Sequence, residues 1–245
     1  MWHRWPMPSY ERFARFYDAA MDDPGPRAER VLGFIDRYRP GATTLLELGC
    51  GTGSILARLH AVPTLTGLDQ SAEMLAVARD KVPSARLFEG DMSSFSLGER
   101  FDVVICVFDT LNHLLDFGAW QSVFAAAADH LVDGGLFVLD VNTVGELKRL
   151  GDEPPWVYEF DDNIMIMDVS LSERGLSWWE IRIFEHVGES QYLLHQEVIG
   201  ELGVELAVLR PALEQRFVIL EEVDEVGGPP TDDSVKAHFA LRRRP

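Results

Sequence analysis

The sequence predicts an α/β fold with a mostly parallel, doubly wound sheet of seven strands and an antiparallel β insertion after the fifth strand. Three observations support this prediction. Short apolar runs alternate with helical segments in the first part of the chain, a stretch with a period near two follows, and two further strand patterns close the chain. Strands that alternate with helices pair in parallel through right-handed crossovers, whereas a period of two is typical of half-buried antiparallel strands.

The core comprises five strands separated by helices. Strands are predicted at 43–49, 64–69, 85–91, 101–108 and 135–141, and helices at 54–61, 71–82 and 118–131. The last of these helices ends near Asp133-Gly134-Gly135, because glycine adopts the left-handed backbone that terminates a helix. Together these elements predict a Rossmann-like core at residues 43–153.

Three segments flank or interrupt this core. Residues 1–42 carry regularly spaced aromatic side chains and are predicted to form a helical cap. Residues 154–203 contain three strand patterns and are predicted to form an antiparallel lid on the substrate side. Residues 204–245 are predicted to return to the core sheet as a helix, kinked or delayed by Pro211, and two closing strands at 218–226 and 235–243.

Composition predicts a folded protein of the cytoplasm. Of the 245 residues, 47% are hydrophobic and 25% are charged, and no apolar run approaches the ~18 residues of a membrane helix. The opening segment MWHRWPMPSYERF lacks the apolar stretch of a secretory signal. Cys50 and Cys106 are too few for a disulfide framework or a cysteine zinc site, which favours a reducing compartment. The sequence leaves open whether the chain is a monomer or a homodimer.

Charge argues against a nucleic-acid partner. The net charge is −18, and residues 151–233 contribute −16 of it through 20 acidic and 4 basic side chains. A phosphate backbone is bound through a basic patch, which this sequence does not show. The acidic segment fits either a solvated surface or a preference for cationic substrates.

The strongest chemical signal is the glycine-rich segment ELGCGTG at residues 47–53, between a predicted strand and a helix. Open α/β sheets bind ligands at this edge, and glycine lets ligand atoms approach the backbone. In the dinucleotide fingerprint G-x-G-x-x-G, the third glycine would fall on Ser54. Asp69 follows 20 residues after Gly49, where a carboxylate can bind both ribose hydroxyls. A nicotinamide oxidoreductase is therefore disfavoured by the spacing but still open.

The residues at the ends of the next two strands help to distinguish between these classes of enzyme. In order, ELGCGTG, GLDQSAEML, EGDM and FDVVICVFDTLNHL resemble the motifs of class I S-adenosylmethionine (SAM)-dependent methyltransferases. The opening YERFARFYDAAMDD, the DTLNHL segment and the β insertion are similar to the bacterial small-molecule branch. That branch includes sugar N,N-dimethyltransferases and glycine/sarcosine-type N-methyltransferases. The resemblance implies SAM as cofactor and a small-molecule methyl acceptor.

The resemblance also implies a set of binding residues. Glu47 and the glycine loop would contact the methionine part of SAM, and Asp69 would hold the ribose. Asp91 would accept a hydrogen bond from the adenine amino group, and Tyr17 would close over the methionine carboxylate. The whole implied cofactor-binding set is Tyr17, Glu47, Gly49, Cys50, Gly51, Gly53, Asp69, Gln70, Met74, Asp91, Met92 and Phe108.

Methyl transfer is an in-line displacement that depends mainly on positioning, and a general base helps only when the nucleophile must lose a proton. His113 is the candidate base, and Tyr10 in the cap is a candidate hydrogen-bond partner of the substrate. Asp109 and Asn112 could orient an amine or cap a turn. His195 and Glu197 are predicted to share one strand face and to form an ion pair.

Four functional interpretations remain open at this stage. The first two are methyl transfer to nitrogen, which is favoured, and methyl transfer to oxygen or carbon. A SAM-binding module without turnover and a nicotinamide oxidoreductase are the other two alternatives. No histidine or cysteine spacing indicates a metal site, so none is expected.

Overall fold

The computed structural model describes residues 13–21, 23–172 and 175–245. Tyr10, the predicted hydrogen-bond partner of the substrate, lies outside the described residues. The elements in chain order are α1 (Ala14–Ala20), α2 (Gly25–Tyr38), β1 (Thr44–Leu48), β2 (Thr64–Asp69), α3 (Ala72–Lys81), β3 (Arg86–Glu89), β4 (Phe101–Cys106), α4 (Phe117–Asp129), β5 (Leu131–Asn142), α5 (Val144–Gly151), β6 (Trp156–Phe160), β7 (Asn163–Leu171), β8 (Leu176–Gly188), β9 (Gln191–Leu202), α6 (Leu206–Glu214), β10 (Phe217–Val223) and β11 (Lys236–Arg243).

The main sheet has seven strands in the order β10-β11-β5-β4-β1-β2-β3. Strands β1 to β5 pair in parallel, and β11 lies antiparallel between β5 and β10. This arrangement confirms the predicted doubly wound, mostly parallel sheet. The strand order reverses between β1 and β4, and such a reversal opens a crevice at the carboxyl ends of the strands.

A separate antiparallel sheet of four strands, β6-β7-β8-β9, follows the fifth strand of the core. The prediction of three strands here was wrong, because β6 pairs with β7 through a tight turn. Asp161 in that turn has a φ of 49°, the left-handed backbone that two-residue hairpins require and that aspartate tolerates. The position of the whole sheet after the fifth strand agrees with the predicted insertion.

The predicted helix at 54–61 is only a single 3₁₀ turn, Leu56–Arg58. Backbone hydrogen bonds there join residues three apart, as from the N–H of Leu59 to the carbonyl of Leu56. Ile55, Leu56 and Leu59 are all buried, and in a 3₁₀ turn side chains three apart, here Leu56 and Leu59, point to the same side. Pro211 does not delay the last helix, since α6 begins at Leu206 and contains the proline; a kink at Pro211 stays a prediction.

Helix α1 joins the cap to the second sheet. Phe13 and Phe16 pack with buried methionine and isoleucine side chains of β7, β8 and β9 in one apolar cluster. Residues of α1 and of this second sheet line one cavity together with Phe108, which follows β4, so both lie over the carboxyl edge of the main sheet. None of the helices in the described part of the chain combines the length and apolarity needed to cross a membrane.

Candidate active site

A solvent-open cavity of about 760 Å³ lies at the carboxyl ends of β1, β2, β3 and β4. We call it the main cavity. It brings together nine of the twelve residues predicted to bind the cofactor, together with the candidate base His113. These nine are Tyr17, Gly49, Gly51, Asp69, Gln70, Met74, Asp91, Met92 and Phe108.

The glycine loop is shaped by backbone angles that favour glycine. Gly49 and Gly51 have φ values of 68° and 51°, and a Cβ on Gly49 would lie 2.2 Å from Cγ2 of Thr110. Because no side chain fits at Gly49, the backbone of the loop stays open to the main cavity.

Asp69, at the end of β2, fixes this loop. Its Oδ2 accepts the N–H of Gly51 at 2.8 Å and its Oδ1 accepts the N–H of Ser71 at 2.9 Å. Burial raises the pKa of Asp69, although both backbone bonds act in the opposite direction. Each oxygen still has a lone pair, so the carboxylate can accept further hydrogen bonds from a diol in the cavity.

Glu47, near the end of β1, is a buried carboxylate without a cation. Only 2% of its surface is exposed, and its Oε2 has no hydrogen-bond partner among the described residues. Burial and then the charge of Asp69 raise the pKa of Glu47 well above its ordinary value, while a backbone bond from Leu56 lowers it. A ligand that carries an ammonium group would supply the missing partner.

The other two loop residues of the predicted set face away from the cavity. The Sγ of Cys50 would lie 2.6 Å from a Cβ on Gly67, and a Cβ on Gly53 would contact Ala78 and Val82 of the α3 region. Both residues therefore pack the loop against the core. Any cofactor contact they make rests on their backbone atoms.

On the opposite side of the cavity, Asp91 forms a local turn. Its Oδ1 accepts the N–H of Ser93 at 2.8 Å and the Ser93 hydroxyl at 2.7 Å. This turn fixes the carboxylate beside Gly90 and Met92, which also line the cavity. The remaining lone pairs can accept from an exocyclic amine.

Two non-glycine residues after β4 adopt a left-handed backbone. Phe108 has a φ of 67° and Asp109 a φ of 50°, a strained arrangement that surrounding contacts must stabilise. Both N–H groups donate to the buried carboxylate of Asp140, at 3.0 and 2.8 Å. The turn directs the Phe108 ring into the main cavity, where the Arg27 guanidinium lies 4.0 Å from the ring centre.

A second cavity, which we call the inner cavity, lies between the main cavity and the four-stranded sheet. It measures about 450 Å³, and Tyr17, Phe108 and His113 line both cavities. His113 thus stands at the junction of the two. The remaining lining residues are Phe13, Met21, Asp109, Met167, Trp179, Ile181, Ile199 and Glu201.

A buried polar network forms the floor of the inner cavity. Lys236 Nζ contacts Asp109 Oδ1 at 2.5 Å and donates to Asn142 Oδ1 at 2.8 Å. Asn142 Nδ2 in turn donates to Glu201 Oε2 at 3.0 Å. The network joins β4, β5, β9 and β11, which are remote from one another in sequence.

The charges of this network shift one another's pKa values. Burial raises the pKa of Glu201 to about 8, and the charge of Asp109 adds to this effect. Burial also acts on Asp109, but Lys236 outweighs it and lowers the pKa of Asp109. For His113, burial is the largest effect and lowers the pKa, so the imidazole is neutral near pH 7.

Asp109, His113 and Glu201 each offer a ligand atom, and these atoms lie within 4.8 Å of one another. Such a spacing is compatible with a metal ion. However, Lys236 already supplies the positive charge next to Asp109. The absence of a metal site therefore stays a prediction.

Several sequence predictions about neighbouring side chains need correction. Asn112 does not face a substrate, because its Nδ2 donates to the carbonyls of Asn142 and Leu202 and its Oδ1 accepts the N–H of Asn142. The amide joins three segments of backbone. His195 pairs with Glu185 on the neighbouring strand at 2.8 Å, so the predicted pair with Glu197 was wrong.

Three residues of the buried network were not predicted from the sequence: Asp140, Lys236 and Glu201. Asp140 carried one signal, since a charged residue inside the apolar run GLFVLDV needs a buried partner. No sequence pattern indicates Lys236 or Glu201, because only the pairing of the strands brings them together.

The comparisons with known proteins agree with this geometry. Residues 45–135 match a family described as a methyltransferase domain. A dTDP-3-amino-3,6-dideoxy-alpha-D-glucopyranose N,N-dimethyltransferase of Streptomyces fradiae is 36% identical over 132 residues, which is 52% of each chain. A putative methyltransferase of Geobacillus sp. is 26% identical over 96% of this chain and 100% of its own. This chain thus spans about half the length of the amino-sugar relative in that match.

Solved structures show the same fold. A SAM-dependent methyltransferase from Clostridium acetobutylicum superposes with a TM-score of 0.83 at 22% identity, over 96% of this chain and 99% of its own. The amino pentose methyltransferase CalS10 from Micromonospora echinaspora gives a TM-score of 0.78 at 24% identity, over 95% and 96%. The predicted resemblance to class I small-molecule methyltransferases is confirmed.

Proposed function

Residues 45–135 match a methyltransferase domain, and the chain has the fold of a methyltransferase. We therefore propose that the chain transfers a methyl group from SAM to a nitrogen atom of a small molecule. One observation carries this proposal. The ends of four core strands line the main cavity, and His113 joins that cavity to a second, inner cavity. Donor and acceptor can therefore meet at one point.

The residues of the main cavity fit SAM. Glu47 does not itself line the main cavity, but it lies two residues before Gly49 and its unpartnered Oε2 would suit the ammonium of the methionine part. The open backbone at Gly49 and Gly51 leaves room for that part of the ligand. Asp69 would hold the ribose hydroxyls, and Asp91 would accept from the adenine amino group. When bound, SAM supplies an electrophilic methyl group on a sulfonium.

The chain contributes mainly by positioning. The strained turn at Phe108 and Asp109 fixes one wall that both cavities share, and Tyr17 packs 6.3 Å from Phe108, between ring centres. Holding two reactants in line lowers a barrier by up to ~7–11 kcal/mol. His113 is neutral near pH 7 and can accept a proton from the acceptor, which adds roughly 10²–10⁴-fold.

The charges of the inner cavity favour nitrogen over a carboxylate oxygen. Asp109 and Glu201 both line this cavity, and none of its described lining residues is a lysine or arginine, so an anionic acceptor would lack a cation to pair with. A neutral amine also needs less help from a base than a hydroxyl or a carbon acid. These features support N-methylation over O- or C-methylation.

We further infer three properties of the whole protein. The two free, buried cysteines support a reducing cytoplasm, and the acidic balance supports a small-molecule rather than a nucleic-acid partner. The third property is the division of the chain into a cap at 1–42, a core at 43–153, a lid at 154–203 and a segment at 204–245 that returns to the core sheet.

An acceptor screen tests the proposed function. The chain is incubated with SAM and separate panels of amines, phenols and carboxylic acids, and the release of S-adenosylhomocysteine (SAH) is measured. The proposal expects release with amines. Release with phenols or acids alone would favour O-methylation, and SAH binding without release in any panel would favour a binding module without turnover.

A further inference from the structure

We propose that the inner cavity is the acceptor site and that it takes a phosphate-free organic amine, which binds to Glu201 as its ammonium and passes one proton to the nearby His113 before its nitrogen attacks the methyl group. This inference rests on the proposed function and specifies the substrate class of the same site. It depends on three features of the cavity: an unsatisfied carboxylate oxygen, an apolar wall and the absence of basic lining groups.

The first feature is the carboxylate of Glu201. The residue is only 3% exposed, and its Oε2 accepts a hydrogen bond from Asn142 Nδ2 at 3.0 Å. Its Oε1 has no hydrogen-bond partner in the part of the chain that the structure describes. A buried carboxylate oxygen that lines a cavity needs a donor, and an ammonium supplies both a donor and the opposite charge.

The neighbouring acids are already satisfied, which leaves Glu201 as the group for an incoming cation. Asp109 pairs with Lys236 at 2.5 Å. Asp140 accepts two backbone N–H groups, and Glu146 on α5 forms an ion pair with Arg149. Among these buried carboxylates of the described residues, Glu201 is the one with neither an ion pair nor two backbone N–H donors.

The second feature is the wall opposite this floor. Met167, Trp179, Ile181 and Ile199 project from three strands of the second sheet, and Phe13 closes the wall from the cap. Such a surface binds the hydrocarbon part of an amine, and the face of an aromatic ring attracts an ammonium. The cavity therefore suits an amine on a compact apolar body.

The third feature excludes a phosphorylated acceptor. No lysine or arginine is among the described residues that line the inner cavity, whereas phosphate recognition uses arginine, lysine or a nest of N–H groups. The adjoining pocket carries Arg58 and Lys81, but these pair with Asp23 and Asp18. The cavity thus favours a free amine over a nucleoside-diphosphate derivative.

Ammonium binding at Glu201 has a pH signature. Burial and Asp109 raise the pKa of Glu201 to about 8, Glu146 adds to this, and Asn142 and Lys236 oppose it. Three other titratable groups line the cavity: the pKa of His113 is lowered by burial, that of Asp109 is lowered by Lys236 and that of Tyr17 is raised by burial. Because the carboxyl must be ionised to pair with the cation, the affinity rises as the pH increases from 6 to 8.5.

The test uses benzylammonium as the probe, with benzyl alcohol as its uncharged analogue and dTDP as a phosphate-bearing ligand. Each is titrated calorimetrically into the full chain saturated with SAH. The variants are Glu201→Gln and the control Glu159→Gln, which removes an exposed acid of β6 outside the cavity. Thermal unfolding verifies that both variants are folded.

Benzylammonium is expected to bind the wild type and Glu159→Gln alike, and roughly 10–100-fold more weakly to Glu201→Gln. Benzyl alcohol and dTDP are expected to bind more weakly than benzylammonium. Equal affinity for wild type and Glu201→Gln, no benzylammonium binding, or tighter binding of dTDP would overturn the inference.

Two further measurements keep the result interpretable. If Glu201→Gln does not fold, the pH dependence of benzylammonium binding to the wild type decides, since a flat profile from pH 6 to 8.5 contradicts the role of Glu201. If SAH does not bind, the proposed function fails. The benzylammonium titration without SAH then still measures the role of Glu201.

Discussion

Replacing Glu47 with glutamine should stabilise the ligand-free protein and weaken SAM binding at the same time. Glutamine has the shape of glutamate, and its oxygen can keep the backbone hydrogen bond from Leu56. What disappears is a buried carboxyl group that takes up a proton on folding, since its Oε2 has no partner among the described residues and its pKa is raised. Such a group lowers stability in the free protein and is useful only when a cationic group binds.

The size of the effect follows from the pH dependence. The folded-state pKa of Glu47 is raised, so the unfolded chain releases its proton at lower pH than the native protein. The wild type therefore loses stability as the pH rises from the ordinary pKa of glutamate to the folded value. Each pH unit in that window costs about 1.4 kcal/mol. Glutamine does not titrate, so the stability difference between variant and wild type grows by this amount.

Thermal unfolding at pH 5, 6 and 7 measures this difference. For a chain of this length, about 1.4 kcal/mol corresponds to roughly 3–6 °C. The melting temperature of Glu47→Gln relative to wild type should rise by that amount per pH unit, while its shift on adding SAH should shrink.

Glu146 provides a matched control, because it is equally buried but paired with Arg149 at 2.6 and 2.8 Å. Glu146→Gln should lower the unfolding free energy by about 0.5–1 kcal/mol, since the arginine is half exposed. Our interpretation of Glu47 would be refuted by a Glu47→Gln variant with a pH-independent stability difference, or with an undiminished response to SAH.

Three further substitutions test individual parts of the site. Asp69→Ala should weaken SAH binding at least 10-fold in calorimetry, because the carboxylate also anchors Gly51; unchanged affinity would rule out the ribose assignment. His113→Ala should lower turnover by roughly 10²–10⁴-fold with little change in SAH affinity, and wild-type turnover would leave it a structural residue. Asp140→Asn keeps one acceptor for two N–H groups and should cost about 1–3 kcal/mol in urea unfolding. Unaltered stability would show that the turn does not depend on Asp140.

The sequence predicted the main cavity well because its residues follow local rules. Each strand of a parallel sheet ends at the same edge, so Gly49, Asp69, Asp91 and Phe108 had to lie near one another once the strands were located. The packing roles of Cys50 and Gly53 depend on contacts with β2 and α3, which strand patterns do not contain.

The inner cavity was not predictable in the same way. Lys236 reaches Asn142 because β11 pairs antiparallel with β5 in that register, although 94 positions separate them. Glu201 is one of many acids in the insertion, and only the folded chain shows that it is buried. For Asn112 the sequence left open whether it orients an amine or caps a turn, whereas backbone carbonyls of β5 and β9 take up its amide.

The central claim is that the main cavity binds SAM, and a calorimetric titration of the whole chain with SAH, repeated with NAD, tests it most directly. Our account predicts saturable binding of one SAH per chain and none of NAD. It also predicts that SAH at 100 times its Kd raises the unfolding free energy by about 2.7 kcal/mol. Binding of NAD without SAH, or of neither ligand, would contradict the claim.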